Sequence, residues 1–208
     1  MSVSTQRSLD LPPELLREAL ALAVDSPRVD GDALGWFPRA AYLGCHEQGR
    51  LIVVTNNDDV VGYCVHNEKT APTRIFLTWV RKDARLILHG RALVDFVANV
   101  ALQRGHNRIE LWCATDLAAN LFWEALGFSK ICWRWSKGKA HRKHWLWRRD
   151  LTPADRLRAS HEPGTSAASS ASILTATPPL AVEQASSARK LLVASELVVT
   201  PSQWPAGL

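Results

Sequence analysis

No stretch of this 208-residue chain approaches the roughly 20 consecutive apolar residues that a membrane-spanning helix needs. Its first residues, MSVSTQRSLDLPPELL, lack the positively charged end and apolar stretch of a secretory leader. A cytoplasmic protein without membrane association is therefore expected. The four cysteines, Cys45, Cys64, Cys113 and Cys132, contain no CxxC pair, so neither a disulfide framework nor a zinc site is suggested and no metal is expected. They read as small buried hydrophobes. Acidic residues are missing from 129–149, which holds eight Lys/Arg, whereas residues 1–128 hold 13 Lys/Arg against 15 Asp/Glu. The net charge of +5 thus belongs to one segment and not to the whole surface. Large apolar residues are scarce after Leu151, where Ala, Ser, Thr and Pro take over; such a composition cannot offset the entropy of ordering.

What is present, 47% hydrophobic and 22% charged residues, suits one soluble globular domain. The expected organisation is a folded unit over 1–151, with N-terminal helices in 12–48 and a core over 51–151, followed by a disordered tail over 152–208. Within that tail, 188–199 is the one patch able to form a transient helix or strand. Apolar spacing of 3.6 marks a helix over 12–24, begun by Pro12 and Pro13 and ended by the turn-forming DSPRVDGD, and a second over 39–48. The period then falls to two. LIVVT (51–55) and VVGYCV (60–65) read as antiparallel strands joined by a tight turn at NNDD, and RIFLTWV (74–80) as a third strand. A helix over 90–105, a strand over 108–113, a helix ending near Gly127 and a Trp-rich hairpin turning near Gly138 complete the order. The expected fold class is α+β, a mixed and mostly antiparallel sheet with helices on both faces.

Chemistry centres on the passage from strand to helix over 77–96. A helix beginning near Gly90 turns unpaired N–H groups and its positive dipole end toward the preceding loop, an arrangement that favours a phosphate. Arg85 and Arg91 add charge. The run Arg85, Leu86, Ile87, Leu88, His89, Gly90, continued by Arg91, resembles the Q/R-x-x-G-x-G/A loop of the GNAT acetyltransferase superfamily. Asp116, Ala119, Phe122, Trp123, Gly127 and Phe128 resemble that family's second signature, N-x-x-A-x-x-F-Y-x-x-x-G-F. The two stand in the expected order, over about half of the chain.

The resemblance implies acetyl-CoA as co-substrate. Residues 85–91 would hold its pyrophosphate, and the peptide groups of Thr78, Trp79 and Val80, at the splayed end of a strand, would pair with the pantetheine arm. The sheet is expected to open in a V between 74–80 and 108–113. Two residues depart from the pattern. Leu88 stands at the loop's first glycine, and Trp123 stands where the family often has a proton-donating tyrosine. An indole N–H does not ionise at useful pH, so Trp123 reads chiefly as a space-filling ring. Tyr63, His66, Asp116 and Glu124 are the polar residues within reach by topology, and the catalytic residues stay unassigned.

The resemblance implies transfer of acetyl to a primary amine by direct attack in a ternary complex. The acceptor is left open among small molecules, protein amines and aminoacyl-tRNA. An inactive member of the fold, acting as a binding or regulatory module, is the alternative. Residues 129–149 bear on that choice, since Lys/Arg interleaved with four Trp suit nucleic acid such as tRNA. The competing expectation, favoured by strand alternation, is a closing hairpin whose Ile131, Trp133 and Trp135 pack on the core.

Overall fold

The computed structural model describes residues 2–30, 37–85, 88–136, 141–152 and 154–155, with side chains described outside 27–30. The elements run β1 (Val3–Arg7), α1 (Pro13–Asp30), α2 (Arg39–Glu47), β2 (Leu51–Asn56), β3 (Asp59–Asn67), β4 (Thr73–Val80), α3 (His89–Gln103), β5 (Arg108–Ala114), α4 (Ala119–Ala125), β6 (Ser129–Trp135) and β7 (Lys143–Asp150). The seven strands form one sheet in the order β1-β2-β3-β4-β5-β7-β6, antiparallel except where β4 meets β5. No helix among the described residues is long and apolar enough to cross a membrane.

The expected mixed, mostly antiparallel sheet with helices on both faces is what forms. Register and side-chain alternation place Thr73, Trp147 and Arg149 on one face. There α3 is tied through Asp95 to Arg149 (3.5 Å), and α4 through Asn120, which accepts from Trp147 Nε1 (3.0 Å). The opposite face carries Tyr63, whose hydroxyl meets Ser26 of α1 at 2.7 Å and Tyr42 of α2 at 3.3 Å. Asn57 and Asp58 both adopt positive φ, the two-residue turn that matches strand twist, so the NNDD hairpin forms as the sequence suggests.

Four features differ from expectation. The strand β1 pairs along β2 from Val3↔Asn56 to Arg7↔Ile52, although VSTQR carries only one large apolar residue. The helix α1 continues through Pro27 to Asp30. Proline has no N–H to offer the carbonyl four residues back, and Ser26 Oγ donates to that carbonyl, Ala23 O, at 3.0 Å. In the last hairpin, β7 lies inside beside β5 while β6 takes the sheet edge. Trp147 is consequently buried, but Ile131, Trp133 and Trp135 are 46%, 49% and 56% exposed, and the expected packing of that face on the core does not occur. Finally, three of the four cysteines are buried, but Cys132 on β6 is exposed. At the far end of β7, Asp155 accepts from Thr152 N–H (2.7 Å) and Arg149 (2.6 Å). Residues 156–208, the bulk of the predicted tail with its 188–199 patch, and the turn at Gly138 lie outside the described residues.

One polar cluster joins β1, β3 and α3. Glu68 is 6% exposed and accepts from His66 Nε2 (2.9 Å), Arg7 (3.1 Å) and Arg104 (3.3 Å). Burial alone would raise its carboxyl, yet the His66 hydrogen bond and charge together with Arg7 hold it down at about 2, below its ordinary 4.5. A depressed carboxylate stabilises the fold fully above its unfolded value and loses that contribution as pH falls through its folded one. Glu68→Gln is therefore expected to lower the melting temperature at neutral pH. In thermal unfolding from pH 7 toward pH 2, the gap to the parent closes at the acid end; a constant gap would assign the loss to packing.

Candidate active site

The strands β4 and β5 run parallel only over Thr73↔Ile109, Arg74↔Glu110 and Ile75↔Leu111. Beyond that point they part. On its other edge β4 stays paired to β3, but His66 faces Ile75 and Val65 faces Leu77, so Phe76 is an extra residue in β4. Such a bulge bends its strand and raises its twist. The rest of β4 follows β3 through Trp79↔Tyr63 and Val80↔Gly62, while Trp112–Ala114 of β5 follow β7. A wedge opens between Phe76–Val80 and Trp112–Ala114, the V that the resemblance implies. Gly62 is essential to its outer wall, because a Cβ there would lie 2.7 Å from the Trp79 carbonyl oxygen.

The walls are packed and largely without charge. Trp79 is buried and tilts against Tyr63 at 6.1 Å between ring centroids. Thr78 Oγ1 donates to Cys64 Sγ at 3.3 Å. Burial pushes the Cys64 thiol up to about 12, and the Cys113 thiol on β5 likewise to about 12. Both remain protonated thiols at neutral pH. Trp123 is fully buried, edge-on to Phe122 (5.0 Å) and Phe128 (5.4 Å). It fills space, as its chemistry suggests.

The loop leaving β4 is drawn back onto the strand. Arg81 pairs with Asp59 (2.7 Å) and Asp83 (2.8 Å), fixing the strand end, and its hydrogen bond holds the Asp59 carboxyl below the usual range. Arg85 donates from Nε to the Val80 carbonyl (2.7 Å), its guanidinium 5.8 Å from the Trp79 ring centroid. Leu86 and Ile87 lie outside the described residues. Leu88 then adopts φ 59° and ψ 6° as the N-cap of α3 and is 61% exposed. This left-handed conformation costs a side-chain-bearing residue about 1–2 kcal/mol and suits glycine. The first bond of α3 is Ala92 N–H to Leu88 O (3.0 Å), so the N–H groups of His89, Gly90 and Arg91 precede the helical ladder. His89 is fully buried, its Nδ1 2.8 Å from Ala84 O, which ties the two ends of the loop together. Arg91 bonds Asp95 one turn on (3.2 Å).

The polar residues suggested by topology are dispersed. Tyr63 is enclosed between α1 and α2. His66 lies at the closed end of the wedge, bound to Glu68 and, through Nδ1, to Arg50 O (3.1 Å). Glu124 is exposed on α4. Asp116 stands just past the open end of β5, paired with Arg142 at 3.0 Å. His144, which spacing did not single out, is buried at that same end opposite Ala114. Its Nδ1 lies 2.9 Å from Arg142 O, and burial lowers its pKa, keeping the ring neutral at pH 7. Among the described residues no His, Cys, Asp and Glu cluster could hold a metal.

The profile of the acetyltransferase (GNAT) family matches residues 16–128. Solved structures share the fold at low identity. Ard1 from Thermoplasma volcanium is 17% identical, with a TM-score of 0.60 over 73% of this chain and 99% of its own. The yncA protein of Salmonella typhimurium, a putative acetyltransferase solved with acetyl-CoA, is 13% identical, with a TM-score of 0.58 over 74% of this chain and 96% of its own. The ribosomal-protein-S18-alanine N-acetyltransferase of Escherichia coli is 15% identical, with a TM-score of 0.57 over 73% and 95%. No curated protein sequence matches significantly.

The strain at Leu88 is testable. Leu88→Gly is expected to relieve it and, because the turn is already left-handed without ligand, to raise folding stability by about 1 kcal/mol and the melting temperature by a few degrees. An unchanged or lower melting temperature would show that the left-handed turn carries no such strain.

Proposed function

Because the chain belongs to the GNAT acetyltransferase family, we propose that it transfers an acetyl group from acetyl-CoA to a primary amine by direct attack in a ternary complex. The carrying observation is the wedge that starts at the Phe76 bulge and leads to the N-terminus of α3. One strand edge there suits an extended amide-containing arm, and the helix end suits a pyrophosphate. In this reading the peptide groups of Thr78, Trp79 and Val80 bind pantetheine. The first-turn N–H groups of α3, with Arg91, bind phosphate. The side chain of Arg85, bonded to Val80 O, orders the loop.

What the walls offer supports direct attack. The cysteines beside the wedge are buried thiols, too weakly acidic for an acyl-enzyme intermediate. Rate then comes from holding amine and thioester together, an effect that can supply several kcal/mol. His144, neutral at the open end of β5, takes the amine's proton. Solvent protonates the departing thiolate, since Trp123 cannot. A second reading, a binding module without turnover, draws on that same Trp123 and on the strained Leu88.

The experiment follows free thiol with acetyl-CoA and a panel of small amines, peptide N-termini, lysine peptides and aminoacyl-tRNA. Amine-dependent thiol release is expected. His144→Ala is expected to retain acetyl-CoA binding and lose about a hundredfold in turnover. Binding of acetyl-CoA without release for any amine would support the module instead.

A further inference from the structure

The hairpin β6–β7 presents a surface that the wedge does not use. Its register, Trp133↔Trp145, Trp135↔Lys143 and Lys130↔Trp147, gathers these six side chains on one face. Trp133 and Trp135, each about half exposed, meet edge to face at 6.1 Å between centroids. Lys143 Nζ stands 4.2 Å from the Trp133 centroid, and Lys130 Nζ 5.8 Å from that of Trp145. Across the sheet, the Arg134 guanidinium lies 4.0 Å over Trp112. Most other cations of the hairpin have carboxylates: Arg142 pairs with Asp116, Arg148 with Glu110 and Arg149 with Asp155. Among the described residues none lies within ion-pair distance of Lys130, Arg134 or Lys143.

Exposed aromatic rings thus alternate with cations that no described carboxylate neutralises. A second copy of this chain pairing edge to edge would bring an identical acid-free strand, and like charges oppose that contact. An acidic peptide would answer the cations but not the rings. Single-stranded nucleic acid answers both, because every base has a face to stack and every linkage a charge. A duplex keeps its bases stacked internally and out of reach.

We propose that the β6–β7 face binds single-stranded nucleic acid, with bases stacked on Trp133 and Trp135 and phosphates held by Lys130 and Lys143. The proposal goes beyond the reading above by naming a partner for a separate face, and it stands whether or not the wedge turns over acetyl-CoA.

The test is fluorescence anisotropy of a labelled oligouridine of about 12 nucleotides with the full chain at about 50 mM salt. Competitors are a duplex, polyphosphate of equal charge and phosphatidylserine vesicles. Binding is expected to weaken as salt rises, and duplex, polyphosphate and vesicles to compete poorly. Trp133→Ala with Trp135→Ala is expected to weaken binding about tenfold or more, with circular dichroism, melting temperature and acetyl-CoA binding unchanged. Lys130→Ala with Lys143→Ala is expected to reduce the slope of log affinity against log salt by about 1.4. The proposal is overturned by absence of binding at low salt, by an unaffected tryptophan variant, or by competition as strong from duplex, polyphosphate or vesicles. A dimer in sedimentation that the tryptophan variant dissociates would likewise overturn it, giving the face to a second copy.

Discussion

The parting of β4 from β5 begins at the bulge in β4, where Phe76 is an extra residue against β3. Past Ile75, β4 keeps its pairing with β3, and β5 keeps its pairing with β7. Arg74 and Ile75 pair on both edges, so these ladders alone do not keep the strands apart; the extra residue Phe76, which bends β4 and raises its twist, sets it on the diverging course. Packing reinforces this from both faces. Tyr63 and Trp79 are held beneath α1 and α2, while Trp123 fills the space between α4 and β5. Truncating a fully buried tryptophan typically destabilises by about 3–5 kcal/mol, so the ring that replaces a possible acid also shapes the site.

The second half of the site depends on where α3 begins. Leu88 accepts a left-handed backbone so that the first-turn N–H groups of α3 face the loop, and His89 fastens that loop to Ala84. Helix N-termini carry partial positive charge and attract anions. Arg85 and Arg91 do not add to it as freely as their spacing suggests. One is engaged by the Val80 carbonyl and the other by Asp95. In the proposed reading, phosphate would be held mainly by backbone groups, so a leucine can stand at the glycine position without abolishing the arrangement.

The parts legible in sequence are those written as local spacing. The Asn57–Asp58 turn, the Arg85 to Gly90 loop and the Asp116 to Phe128 pattern each specify geometry within a few residues. What was not legible depends on distant partners. The strand β1 is made by the edge of β2, and the helix α1 survives Pro27 through the Ser26 hydroxyl. Alternation correctly put Trp133 and Trp135 on a common face but carried no information about strand order. Because β7 inserts next to β5, the neighbouring strand β6 is left at the edge and its rings meet solvent. The bulge at Phe76 and the buried neutral His144 left no motif, since both arise from register between strands far apart in the chain.

The central claim, that the wedge and the start of α3 form one acyl-CoA site, is tested most directly by amide hydrogen exchange with and without acetyl-CoA. The account predicts slowed exchange confined to two stretches, Phe76–Val80 and His89–Arg91, appearing together as ligand is added. Saturating ligand that leaves these amides unchanged, or that protects a different surface, would contradict it.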